Sequence, residues 1–453
     1  MRVTNDAALS PDAATAAAGP HRCDVLVIGG GPAGATAATL LARKGHSVTV
    51  LEKDRHPRFH IGESLLPANL KLFEELGVSE EMRAIGIEKH CAEFVSPHHD
   101  AMQRFRFAEA WDKTMPYAYQ VRRSDFDLVL IRNAERNGAQ VLQGCRVREV
   151  DYDDDGATVS AEHDDGRREQ WRARFVIDAS GRDTFMANRL RAKQRNPKHN
   201  SSALYAHFEG ARRHEGENQG NITIYWFDHG WFWFIPLADG ATSVGAVTWP
   251  YYMKQRKGRS KAQFLLDTID MCPALAERLK DACIVNEVEA TGNFSYTTDR
   301  TYGKGYILLG DAFAFIDPVF SSGVMLAMQG AFFGAEAVDT CLREPARTAE
   351  AMRRFDKDMR HGPREFSWFI YRMTNPTMRD LFMGPRNTLR MREALLSLLA
   401  GDIYGKTPIW SSLTAFKVVY YLSSIKHWRR SLVAWQARKR NIQPVDDTEL
   451  TGA

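Results

Sequence analysis

The stretch CDVLVIGGGPAGATAATLLARKGHSVTVLEKD, residues 23–54, constrains the fold more than any other part of the chain. A short apolar run, Val25 to Ile28, enters Gly29-Gly30-Gly31-Pro32-Ala33-Gly34. An alanine- and leucine-rich helix follows, then a second strand, SVTVLEK, that carries Glu52. This is a βαβ unit in which each glycine has a task. Gly29 permits the tight turn, Gly31 lets backbone approach a pyrophosphate, and Gly34 lets the helix pack on the strand. The helix start supplies free N–H groups and partial positive charge to phosphates. Glu52, about 20 residues on, is placed to accept a hydrogen bond from a ribose hydroxyl. The pattern predicts a bound dinucleotide.

Two later segments narrow the choice. ARFVIDASGRD (residues 173–183) is an apolar strand ending in Asp178, and KGYILLGDAFAFIDP (304–318) is another, ending in Gly310-Asp311. An acid at the carboxyl end of each strand suits binding in the crevice of an open sheet, with Asp311 facing the ribityl or pyrophosphate part of a cofactor. In this order, after the glycine-rich unit, these segments resemble the FAD-containing aromatic hydroxylase superfamily. The resemblance implies FAD rather than NAD.

The predicted fold is α/β, a Rossmann-like FAD-binding domain of the glutathione-reductase type. Its domain is expected over residues 22–195 and 290–345, with inserted segments. SALYAHFEGA, NITIYWFDHGWFWFIPLADGATSVGAVTW and VNEVEATGNFSY alternate apolar and polar residues between Gly, Asp and Asn. They predict a mostly antiparallel sheet over 196–289, covering the flavin. From about residue 324 the apolar spacing becomes helical, and 346–453 reads as a helical appendage. Residues 1–21 are small and polar without an apolar h-region, and read as a disordered lead rather than a signal peptide.

Bulk properties exclude several classes. A net charge of +4 over 453 residues gives no basis for nucleic-acid binding. The six cysteines are scattered without a CxxC pair, which argues against a disulfide framework or a zinc site and fits a reducing cytoplasm. No run approaches the roughly 20 apolar residues of a membrane span.

Two motifs point to chemistry. Trp231-Phe232-Trp233-Phe234-Ile235-Pro236 reads W-x-W-x-I-P, and its two indoles fall on one strand face. Phe315-Ile316-Asp317-Pro318-Val319-Phe320-Ser321-Ser322-Gly323 reads F-x-x-P-x-x-S-x-G. Together on an FAD scaffold they resemble the flavin-dependent halogenases, over about residues 22–440. In that family reduced FAD, O₂ and chloride or bromide give hypohalous acid, which travels a short tunnel to a lysine that presents electrophilic halogen to an arene. The resemblance makes Trp231 and Trp233 the wall that keeps the arene from the flavin, and Pro318 the residue shaping the tunnel mouth. Ser322 and Gly323 would bind halide through N–H groups at a turn entering a helix.

The family's K-x-G-A-x-F pattern falls on Lys89-His90-Cys91-Ala92-Glu93-Phe94, making Lys89 the active lysine, with Cys91 in place of the usual glycine. Burial in a tunnel would lower its pKa. Gly62-Glu63-Ser64-Leu65-Leu66-Pro67 resembles the segment beneath the flavin, which places Glu63 and Ser64 at the cofactor; Glu63, Ser64 and His60 read as structural residues first and as modulators of Lys89 second. Arg123, in VRRSDFD, matches a family arginine near FAD, where a guanidinium suits bidentate phosphate contact. No metal is expected. One nucleotide fingerprint alone is consistent with reduced FAD supplied by a separate flavin reductase.

Members acting on free tryptophan usually carry a glutamate two residues after the motif proline. Phe320 stands there, which directs the reading to the phenol and pyrrole branch, where several members act on arenes tethered to a carrier protein. Lys426, Arg429, Arg430, Arg438, Lys439 and Arg440 could meet an acidic carrier. Two alternatives stay open at this point: an FAD-dependent aromatic hydroxylase or prenyl-chain reductase on the same fold, and a non-catalytic carrier-binding protein with a vestigial flavin pocket.

Overall fold

The computed structural model describes residues 19–292 and 295–443. Most of the lead expected over 1–21 lies outside them, and the first strand, His21–Ile28, begins inside it. This strand is central in an open sheet. It pairs in parallel with Val48–Glu52 on one side and Arg168–Asp178 on the other. Gln140–Gln143 and Tyr306–Leu308 extend the parallel set outward. The strands read as continuous apolar runs because helices cover the sheet; Pro32–Arg43 packs against Gly323–Arg343 and Arg123–Arg136. Pro32 sits in the first turn of its helix, where its fixed φ is preorganised and its missing N–H costs nothing.

A second sheet stands over the carboxyl ends of the first. Ile222–Phe227, Gly230–Pro236 and Thr242–Thr248 form an antiparallel meander, continued by Ser202–Glu209. It is not wholly antiparallel. Ile222–Phe227 also pairs in parallel with Cys91–Val95, which then pairs with Gln103–Arg106. Those two strands come from far earlier in the chain, so the sheet reaches beyond the expected 196–289 stretch.

All seven residues of Gly230–Pro236 are buried, because both faces of this strand are covered. Trp231, Trp233 and Ile235 share a cluster with Phe94, Phe320 and the C-terminal helices. Phe232 and Phe234 face the other way, onto helices Lys261–Asp270 and Pro273–Leu279. These two helices lie inside the 196–289 stretch expected to be mostly antiparallel sheet. The C-terminal region is helical as expected, with Thr348–Ile370, Pro376–Met383, Met391–Leu399, Trp410–Lys426 and Trp428–Asn441.

Candidate active site

A cavity of about 490 Å³ runs from the glycine-rich turn to the indoles of Trp231 and Trp233. Gly29 adopts φ +97°, and a Cβ there would stand 2.5 Å from the Ala179 carbonyl oxygen. A Cβ at Gly34 would come within 1.9 Å of the Gly29 oxygen, so helix and turn pack closer than any side chain allows. Gly31 caps the helix with extended backbone and lines the cavity. The nearest atom to a Cβ there is a guanidinium nitrogen of Arg58, 3.8 Å away. The turn is therefore an open cradle with a cation beside it. Glu52 accepts from the N–H groups of Gly30 (2.6 Å) and Asp54 (2.8 Å), which fixes its carboxylate at the cavity edge. The cradle, the helix start and the fixed acid fit a dinucleotide.

Several predicted residues meet at this cavity: Gly29, Gly31, Glu52, Glu63, Ser64, Arg123, Trp231, Trp233, Asp311, Pro318 and Gly323 all line it. Burial raises the Asp311 carboxyl to about 6, against the opposing pull of Arg182 and Arg123.

Others stand elsewhere. Asp178 is fully buried and its oxygens accept from the N–H groups of Ser180 (2.9 Å) and Met186 (2.7 Å). It pins the turn after its strand and does not line the cavity. Arg123 lines the cavity, and three of its five N–H groups go to Asp127, at 2.8 and 3.0 Å, and to the Ile61 carbonyl. Arg58, beside the turn and half-buried, also lines the cavity and donates to Asp127 at 3.3 Å; no motif in the sequence marks it. Gly310 and Ser322 line a smaller side cavity of about 40 Å³, and Gly323 lines both.

Lys89 ends the strand Gly86–Lys89, which pairs with Ala118–Val121. At His90 the chain leaves that ribbon and joins the large sheet. The Asn221 carboxamide oxygen accepts from both N–H groups at the crossing, His90 at 3.1 Å and Cys91 at 2.9 Å. Cys91 is an ordinary strand residue paired with Arg106, and its backbone is not left-handed. The glycine of the family pattern is therefore not needed for φ here.

The Lys89 side chain is 1% exposed. Its amine is 3.0 Å from the Ser64 hydroxyl, donates to the Leu65 carbonyl, and lies 5.4 Å from the Phe107 ring centre. Among the described residues no carboxylate pairs with it, and burial lowers its pKa to about 7. Lys89 does not itself line the large cavity; Ser64 does. The amine thus stands one hydroxyl behind the cavity wall, rather than in an open channel. On that wall the Trp231 and Trp233 rings are 6.1 Å apart. The Trp233 N–H donates to Ser243 (3.1 Å), and its ring lies over Gly245, where a Cβ would meet it at 2.2 Å.

Glu63 was read from its motif, but its partner was not. His207, from the strand Ser202–Glu209, brings Nε2 within 2.8 Å of a Glu63 oxygen. The other Glu63 oxygen is buried and has no hydrogen-bond partner among the described residues. Phe320 is buried between Phe366 and Phe382. On the C-terminal hairpin, Arg430 pairs with Asp380 at 2.7 Å. Arg438 turns inward onto the Lys198 carbonyl and His199, so it is no part of an outer basic surface.

Residues 22–351 match the FAD binding domain family. Tryptophan 2-halogenase of Chondromyces crocatus is 34% identical over 71% of this chain, which spans 62% of that relative's length. The 1H-pyrrole-2-carbonyl-[peptidyl-carrier protein] chlorinase of Pseudomonas fluorescens is 28% identical over 85% of this chain and 90% of its own. The solved structure of the myxobacterial chondrochloren halogenase CndH, a variant of FAD-dependent halogenases, superposes with a TM-score of 0.74. It is 33% identical and covers 87% of this chain and 93% of its own. Among the described residues no helix is long and apolar enough to cross a membrane. With the dinucleotide cradle and the paired indoles lining one cavity and the buried lysine behind Ser64 of its wall, the chain belongs to the flavin-dependent halogenases.

Proposed function

We propose that this protein is a two-component halogenase of a phenolic or pyrrolic arene carried on a carrier protein, using Lys89 to deliver the halogen. Bound reduced FAD would supply the electrons that convert O₂ and halide to hypohalous acid. It would be held by the Gly29–Gly34 turn, Glu52 and the Arg58 edge, and reduced by a separate cytoplasmic flavin reductase. Gly323 and Ser322 would offer halide the free N–H groups of a turn entering a helix.

The observation that carries this reading is the buried amine behind Ser64. The Leu65 carbonyl can only accept, so the amine always donates one N–H there. The Ser64 hydroxyl can donate or accept, so it serves the neutral and the charged amine alike. A pKa of about 7 leaves both forms populated near neutrality. The indole wall keeps the arene from the flavin side with little rotamer entropy to lose.

The substrate class rests on apolar Phe320, where no carboxylate is offered to an indole N–H, and on the carrier-bound substrate in the name of the Pseudomonas fluorescens relative. Lys426, Arg429, Lys439 and Arg440 remain on the outer hairpin to meet an acidic carrier. The test supplies protein, FAD, a flavin reductase, NADH and bromide with free tryptophan, free phenols and pyrroles, and their carrier conjugates. Mass spectrometry should find bromide-dependent product on the carrier conjugate. Halogenated tryptophan as the main product would overturn the substrate reading.

A further inference from the structure

Asp317 opens the turn Pro318–Phe320, and its carboxylate is divided between two tasks. Oδ1 accepts from the Val319 N–H at 3.0 Å and so starts the turn. Oδ2 lies 2.7 Å from His199 Nε2 and 3.3 Å from the Ser201 hydroxyl. The other imidazole nitrogen, His199 Nδ1, is 3.1 Å from the guanidinium of Arg438, which also donates to the Lys198 carbonyl at 2.9 Å. Asp317 and His199 are each 5% exposed.

A guanidinium only donates and a carboxylate only accepts. The imidazole between them therefore has one consistent state: Nδ1 accepts from Arg438, and Nε2–H donates to Asp317. Arg438 selects the tautomer that Asp317 needs.

The turn held in this way is strained. Ser321 takes φ +55° and ψ +23°, and Ser322 follows at φ −84° and ψ −12°. A left-handed residue followed by a right-handed one turns successive N–H groups to one side, making an anion-binding concavity. A non-glycine residue in the left-handed region is strained and persists only where its surroundings over-determine it. Asp317, anchored from both sides, is such a determinant.

We propose that Arg438, His199 and Asp317 are positioning residues that fix this turn and thereby set the halide affinity of the site. The proposal rests on the reading of Ser322 and Gly323 as the halide site. It gives the last helix, Trp428–Asn441, a part in the active site through a side chain 121 positions from Asp317 in sequence (438 − 317).

The test measures how bromide, replacing gluconate at constant ionic strength, raises the thermal midpoint of the FAD-loaded protein. The wild type should show a saturable rise. In Asp317→Asn, whichever way the new amide turns, one N–H faces a donor, either His199 Nε2–H or the Val319 N–H. Arg438 blocks the tautomer change that would relieve it. Bromide affinity should fall at least about tenfold, the loss of one buried hydrogen bond to a charged group. Adding Arg438→Met frees the imidazole to exchange tautomers and should return affinity to within about threefold of wild type. His199→Gln, which can accept and donate at once, should stay close to wild type. His199→Phe should behave like Asp317→Asn and carries the test if that variant does not fold. The proposal is overturned if Asp317→Asn keeps wild-type affinity, or if the double variant is no better than the single. A wild type without any bromide response removes the halide reading itself, and the proposal with it.

Discussion

Lys89→Met should stabilise the protein while ending its chemistry. The unfolded lysine holds its proton up to about pH 10.5, the folded one only to about 7. Between those values the unfolded state binds more protons, so stability rises with pH and the penalty for burying the amine is full below pH 7. The difference of 3.5 units (10.5 − 7) corresponds to about 5 kcal/mol. Against this, methionine forfeits the hydrogen bonds to Ser64 and the Leu65 carbonyl, about 1 kcal/mol each. Methionine fills nearly the same volume beside Phe107, so no cavity term is added. The net gain is about 3 kcal/mol at pH 6. By pH 10 little of the charge penalty remains, and the same substitution should cost about 1 kcal/mol. Urea unfolding of wild type and variant at pH 6 and pH 10 measures both. A Lys89→Met that destabilises at pH 6, or whose effect is the same at both pH values, would refute the reasoning that burial without a counter-ion sets this amine's state.

Trp233→Ala should cost about 3–5 kcal/mol in urea unfolding and raise the ratio of freely trapped hypohalous acid to halogenated arene. Gly245→Val drives side-chain atoms into the Trp233 ring; a loss of about 1–3 kcal/mol is expected, with quenched or shifted tryptophan fluorescence as the sign that the indole has moved. Gly34→Ala places a methyl 1.9 Å from the Gly29 oxygen, so the turn must open. FAD affinity, read by flavin fluorescence, should fall on the order of tenfold or more.

What could be read before the structure was local. The glycine turn, the strand that follows it, the paired indoles and Lys89 each occupy a few consecutive positions whose periodicity or motif carries the meaning. The partners that give those residues their state come from distant segments. Asn221 holds the crossing at His90 and Cys91 from 131 and 130 positions away, and His207 reaches Glu63 across 144. Nothing in a run of residues marks such pairings, since a buried histidine or asparagine has no period. The partners of Asp178 and Arg123 were hidden for a related reason. An acid at a strand end and an arginine at a helix start look alike whether they face a ligand or close a turn, and only the positions of the Met186 N–H and of Asp127 decide. Helices Lys261–Asp270 and Pro273–Leu279 escaped because a helix of ten or seven residues covering one sheet face shows only about two to three turns of pattern.

The most direct measurement compares wild type with Lys89→Ala, both loaded with FAD and fed reduced flavin, O₂ and bromide in the presence of the arene and a β-diketone trap for free hypobromous acid. The account predicts bromoarene from the wild type, and from Lys89→Ala no bromoarene with the trap brominated instead. Bromoarene formed at an unchanged rate by Lys89→Ala would contradict it.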